Sequence, residues 1–141
     1  MNGVRYLLDT NILSEPLRPC PNLTVIERLT DLSEELSTAS MAYHEICFGC
    51  RRLPDSRKRR AIEAYLQEEV KAKLIILPYD LEAAEWYAVE RARLVDLGRT
   101  PPYFNGQIAA IAIVNDLTLV TNNTSDYTDF QNLKLQNWFI P

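Results

Sequence analysis

Three stretches of the chain carry side chains that could do chemistry together. Asp9 ends a short apolar run, Val4-Arg-Tyr-Leu-Leu8, and is followed by Thr10 and Asn11. Glu45 lies about one turn into a predicted helix that follows a second run, Leu36 to Ala39. The third is Thr121-Asn-Asn-Thr-Ser-Asp126, directly after Leu117 to Val120. Taken singly, each has a structural explanation, because Asp favours turns and caps and a lone helical Glu is ordinarily solvated. Their coincidence points to function. In an open parallel sheet, sites gather beyond the carboxyl ends of the strands, and all three features would converge there. Helical side chains lean toward the N-terminus of their helix, so Glu45 can point back at the strand ends. Carboxylates that share a cleft repel one another unless a cation is bound. Oxygen ligands with little Cys or His involvement suit Mg2+ or Mn2+.

Competing chemistries find less support. His44 is the only histidine, and no Ser/His/Asp or Cys/His set can be assembled around it. Cys47-Phe-Gly-Cys50 is formally a CxxC with His44 three residues before it, and Cys20 could complete a zinc set. It lacks a second pair and the usual ligand spacing, so it reads as a helix with two semi-buried thiols. An aspartyl nucleophile at Asp9 would need a second Asp two positions later, where Asn11 stands.

The elements that must hold these residues can be read from hydrophobic patterning. Strands are predicted at 4–8, 36–39, 74–77 and 117–120, with another at 133–135. A helix follows Asn22, and Ser40 caps one carrying Tyr43, Ile46 and Cys50. Pro54-Asp55 opens a long charged helix, and Asp80 caps another that runs to Gly98. Asn105 caps a helix through Ile108-Ala-Ala-Ile-Ala-Ile-Val114, apolar nearly all round and therefore buried against the sheet. Strands alternating with helices give an α/β/α sandwich around a mainly parallel sheet of four to five strands. Trp86 and Tyr87 point different ways on their helix, so they read as core or dimer contacts rather than a stacking platform.

The 141 residues suit a single domain, 1–141, and 47% hydrophobic content with a net charge of −4 excludes a disordered chain. The longest apolar run is far too short to span a membrane, and Asp9 interrupts any export signal, leaving the cytoplasm as the expected location. The acidic balance argues against a dedicated nucleic-acid binder, yet six of the fifteen basic residues fall between positions 51 and 60. Arg51, Arg52, Arg59 and Arg60 are therefore candidates to position phosphates or to receive an acidic partner segment, against the ordinary alternative of a solvated helix start.

Several of these features also carry a resemblance. Leu7-Leu-Asp9-Thr-Asn11, helical Glu45 with Gly49 four residues on, Gln107-Ile-Ala-Ala-Ile-Ala112, Leu119-Val-Thr-Asn-Asn-Thr-Ser-Asp-Tyr127 and Asn137-Trp138 together resemble a PIN domain. The overall pattern is similar to the VapC-type toxin ribonucleases of bacterial toxin–antitoxin pairs. The resemblance implies an endoribonuclease with acidic residues around one or two Mg2+ or Mn2+ ions, acting on structured RNA, with transfer RNA as the family-level substrate. Asp9 matches the first acid, Glu45 the second and Asp126 the last, with Thr10, Asn11, Thr121 and Asn123 as polar support. It further implies a VapB-type antitoxin whose C-terminal segment lies across the cleft, and a homodimer or higher toxin–antitoxin assembly.

One position departs from that pattern. The remaining acid of the family is expected where this chain has Asn105. Asn offers one neutral oxygen where Asp offers two anionic ones, with almost no change of shape. The swap points first to deliberate inactivation, ahead of a selected loss of toxicity or natural variation that keeps some activity. It also keeps a second class of function open, a non-catalytic PIN-like module that binds RNA or protein.

Overall fold

The computed structural model describes residues 3–141. Five strands, β1 (Tyr6–Leu8), β2 (Leu36–Ala39), β3 (Ile75–Leu77), β4 (Thr118–Val120) and β5 (Lys134–Gln136), form one sheet in the order β3-β2-β1-β4-β5. Every pairing is parallel. The mainly parallel sheet read from the sequence is thus wholly parallel, and the fifth strand forms one residue later than expected. β1 begins at Tyr6 rather than Val4, while the 36–39 strand matches.

The pleat of β1 explains the two layers. Tyr6 and Leu8 pack on one side with Ile12, Leu13, Val25, Ile46 and Trp138. Leu7 packs on the other with Tyr87, Leu94 and the run Ile108 to Ala112. The first side is covered by α1 (Thr10–Leu13), α2 (Leu23–Asp31), α3 (Ser40–Arg51) and α4 (Arg57–Tyr65), the second by α5 (Leu81–Asp96) and α6 (Tyr103–Val114). Residues 108–112 of α6 are all fully buried, which is why that helix tolerates no polar face. Ser37 and Thr38 are buried on β2, an interior strand beside the central β1, and their hydroxyls donate to the carbonyls of Tyr6 and Leu8 at 2.8 Å. Among the described residues, no helix is long and apolar enough to cross a membrane.

Helix boundaries bring agreement and correction. Asn22 and Asp80 cap as expected, accepting from the amides of Val25 at 3.1 Å and Ala83 at 3.0 Å. Gly98, at φ +73°, ends α5 in the left-handed turn that glycine adopts freely. Ser40 is not a cap: it is the first residue of α3, and Ala39 holds the cap position without a side-chain bond. Asn105 is not a cap either. α6 starts at Tyr103 from Pro102, whose φ is already fixed near the helical value, so Asn105 is its third residue. The charged helix starts two residues late, with Ser56 accepting from the Arg59 amide at 3.2 Å, and its end widens into a π-turn over Leu66–Lys71.

Candidate active site

The register of the sheet places the chemistry. Leu8 pairs with Thr38 on one side and Val120 on the other, so the next residues, Asp9 and Thr121, emerge together at the carboxyl ends. The Asp9 amide still donates to Val120 O at 2.9 Å, which extends the ladder one residue and fixes its direction. Asp9 is 5% exposed and caps α1. Its Oδ1 accepts from the Thr10 amide at 2.8 Å; its Oδ2 accepts from Thr121 Oγ1 at 2.9 Å and from the Tyr127 hydroxyl at 3.2 Å.

Thr121 is the hub of this network. Its buried hydroxyl donates to Asp9 and accepts from Asn11 Nδ2 at 3.2 Å and the Asn123 amide at 3.1 Å, which uses its full hydrogen-bonding capacity. Asn11 in turn accepts from the Asn122 amide at 2.9 Å. The two segments that follow β1 and β4 are thereby locked to each other. The sequence marks Tyr127 only as the last residue of a motif, because no spacing rule makes a tyrosine in a short turn the partner of an acid 118 residues away. Burial first, and then the negative charge of Asp9 and its hydrogen bond, push the Tyr127 phenol far above its usual range. The hydroxyl therefore stays protonated and donates to Asp9 through the neutral range.

A cleft of about 310 Å³ opens over these residues, lined by Asp9, Thr10, Asn11, Asn123 and Asp126, with Asn105, Phe104 and Tyr127 completing its walls. Asn105 reaches it from the first turn of α6, where Gly106 lets that helix lie directly on the ring of Tyr87. Glu45 does not line this cleft; it is exposed on α3, which starts from the same end of the sheet. Arg51 and Arg52 are exposed near the end of α3. Arg59 is largely taken up by the structure, donating to Leu53 O at 3.1 Å and pairing with Glu63 at 3.4 Å, and Arg60 pairs with Asp55 at 2.9 Å. A larger groove of about 760 Å³ elsewhere is lined mainly by apolar residues such as Leu13, Ile26 and Leu29 and gathers no acid cluster.

The donors in the small cleft fit a hard divalent cation by type. They are two carboxylates, the Asn105 amide and Thr10, whose Oγ1 is buried without a hydrogen-bond partner. All are oxygen ligands, which Mg2+ and Mn2+ prefer. Among the described residues, no three His, Cys, Asp or Glu side chains cluster closely enough to hold a metal by themselves, so the set depends on its neutral oxygens. Cys20, Cys47 and Cys50 are free thiols.

Comparison with known proteins agrees with this architecture. The PIN domain family matches residues 6–131. Toxin FitB of Neisseria gonorrhoeae is 32% identical over 124 residues, covering 86% of this chain and 89% of that protein. A tRNA(fMet)-specific endonuclease VapC of Shigella flexneri is 28% identical, covering 96% of this chain and 98% of its own length. The crystal structure of FitAcB from Neisseria gonorrhoeae superposes with a TM-score of 0.87 at 29% identity, over 96% of this chain and 99% of that one. With a five-stranded parallel sheet, an acid-lined cleft at its carboxyl edge and a family match over nearly its whole length, the chain belongs to the PIN domain family.

Proposed function

We propose that this chain is the toxin of a VapC-type toxin–antitoxin pair, built as a divalent-metal-dependent endoribonuclease for structured RNA, with transfer RNA as its substrate class. The observation that carries this reading is the meeting of Asp9, Asn105 and Asp126 in one oxygen-lined cleft. The names of the relatives, a toxin and a tRNA(fMet)-specific endonuclease, support it. Asp9, Asn105 and Asp126 would hold Mg2+ or Mn2+, with Glu45 joining them from α3. The chemistry a bound divalent ion supplies in such a site is activation of water and charge stabilisation at phosphoryl oxygens. Thr121 and Tyr127 hold the Oδ2 atom of Asp9 in place, so its carboxylate is oriented before any ligand arrives.

Asn105 weakens the set by one charge, and we read the chain as an inactivated form on that ground. Its partner is a VapB-type antitoxin that covers the cleft, within a homodimer or higher toxin–antitoxin assembly. The position of Glu45 outside the cleft lining and the neutral Asn105 favour a second reading, a non-catalytic RNA- or protein-binding module.

One assay separates them: magnesium-dependent cleavage of a panel of structured RNAs, transfer RNAs included, by the chain and by Asn105→Asp. The variant should cut at least about tenfold faster, since a ligand matters no less than the outer-shell partners whose loss costs ~10–100-fold. Inactivity of both proteins across the panel, with folding intact, overturns the ribonuclease reading. Cleavage by the unaltered chain removes the binding-module reading.

A further inference from the structure

The exposed face of α3 carries a ladder that the cleft does not use. His44, Phe48 and Arg52 recur at four-residue intervals and so stack along one face of the helix. The rings of His44 and Phe48 are parallel within 7°, with centroids 6.3 Å apart. The Arg52 guanidinium sits 5.7 Å from the centre of the Phe48 ring. Both separations lie within the range of offset ring stacking and cation–π contact, and Phe48 nevertheless remains 53% exposed. A phenylalanine so placed gains little for the fold, because its ring is not buried in either core layer.

The surroundings are basic. Arg51 lies beside the ladder, and Arg57 and Lys58 are exposed at the start of α4. The Cys50 thiol donates to Arg59 O at 3.6 Å and joins that start to the end of α3. Among the described residues, none of Arg51, Arg52, Arg57 or Lys58 takes part in an ion pair; the acids nearby, Asp55 and Glu63, are engaged by Arg60 and Arg59. Next to Phe48, Gly49 leaves open space where a side chain would project. Glu45 stands one turn before Phe48 on the same helix.

We infer that His44, Phe48 and Arg52 form a stacking platform for a single-stranded segment of RNA, with Arg51, Arg57 and Lys58 on its phosphates. The choice of RNA among polyanions rests on the ribonuclease reading. The parallel rings of His44 and Phe48, with a guanidinium over the second, offer surfaces for the π-faces of unpaired bases, whereas a helix of paired bases hides them. An acidic peptide would use the cations but gain nothing from parallel rings. Because α3 starts at the carboxyl edge of the sheet and packs beside α1, a strand held on this ladder runs toward the end of the sheet where Asp9 lies. The ladder thus selects substrates with an unpaired stretch.

The test is binding, in EDTA so that no cleavage runs, of a short oligouridylate carrying one 2-aminopurine. Phe48→Leu keeps an exposed apolar side chain but removes the π-face; it should weaken binding about tenfold and abolish the quenching of 2-aminopurine. Phe48→Trp should retain both, and thermal melting checks that the fold is unchanged. Equal binding by the parent and Phe48→Leu, or binding without quenching, overturns the platform. So does an oligoglutamate peptide that binds with the same dependence on Phe48, which would assign the surface to an acidic protein segment. Cleavage by Asn105→Asp together with unchanged binding by Phe48→Leu sinks the platform and leaves the nuclease standing. Normal ladder binding with no cleavage on any RNA does the reverse.

Discussion

Tyr127 donates its phenolic hydrogen to Oδ2 of Asp9 at 3.2 Å, across 118 residues of sequence. Thr121 donates to the same oxygen at 2.9 Å, so two neutral donors converge on one atom of a buried carboxylate. Together they fix its orientation. The Asp9 carboxylate is therefore oriented by the fold itself, with its other oxygen bound only to the Thr10 amide.

Tyr127→Phe removes one of these donors without opening a cavity. Hydrogen bonds to charged groups contribute roughly 1.5–3 kcal/mol, so the variant should lose about that much in urea denaturation at neutral pH. A loss below about 0.5 kcal/mol would show that the contact has no energetic weight. Because the phenol is held protonated far above its usual range, the difference between parent and variant should not change through the neutral region.

Gly106 lets α6 lie on α5, and a Cβ there would enter the ring of Tyr87. Tyr87 is 2% exposed and has no room to retreat. Gly106→Ala should destabilise by about 1–3 kcal/mol, the usual cost of overpacking a core. It should also displace Asn105, its neighbour, from the cleft. Asn105→Asp combined with Gly106→Ala should accordingly regain less cleavage than Asn105→Asp alone, measured at a temperature where both are folded.

How much of this was legible from residues alone depends on the range of the interaction. The sheet, its order of elements and the buried α6 follow from local patterning, because apolar runs and caps are written in neighbouring residues. Asp9 and Asp126 could be paired because topology brings strand ends together whatever the details. Glu45 was harder, since its place depends on the rotation of α3 about its own axis, which a single residue does not reveal. Ser40 and Asn105 have cap-forming side chains but do not cap, because Ala39 and Pro102 start their helices through backbone geometry alone. Tyr127 and the pairing of Arg59 with Glu63 depend on tertiary packing and on competing charges. The ladder of His44, Phe48 and Arg52 is present in the four-residue spacing, but the spacing does not say whether that face of α3 is buried or open to solvent.

Alkaline pH offers a test of the packing around α4. The Tyr65 hydroxyl donates to Leu13 O, and burial, helped by the charge of Glu69, pushes its pKa up to about 12. Its unfolded value is near 10, so above that pH the unfolded chain loses a proton that the native chain keeps. The stability from this group is complete below pH ~10 and is lost progressively between ~10 and ~12. Melting temperature should fall over that window, and Tyr65→Phe should make the fall shallower. An identical slope in the variant would mean that Tyr65 ionises no differently in the folded chain.

The charge missing at position 105 can be probed without any RNA. In Asn105→Asp the new carboxylate joins Asp9 and Asp126 in one cleft, and like charges there disfavour ionisation. A rise of one unit in its pKa corresponds to about 1.4 kcal/mol lost at neutral pH, partly offset because an anion in the first turn of α6 is favoured by the helix dipole. The variant should therefore melt a few degrees lower than the parent in EDTA, on the order of 2–4 °C per kcal/mol for a chain of this size. Mg2+ binds the folded state and not the unfolded one, and an ion at a hundred times its dissociation constant adds about 2.7 kcal/mol. Millimolar Mg2+ should thus raise the melting temperature of Asn105→Asp well above its EDTA value while moving the parent less. Equal shifts in both proteins would mean that position 105 does not face the ion, and the metal site would have to be sought elsewhere in the cleft.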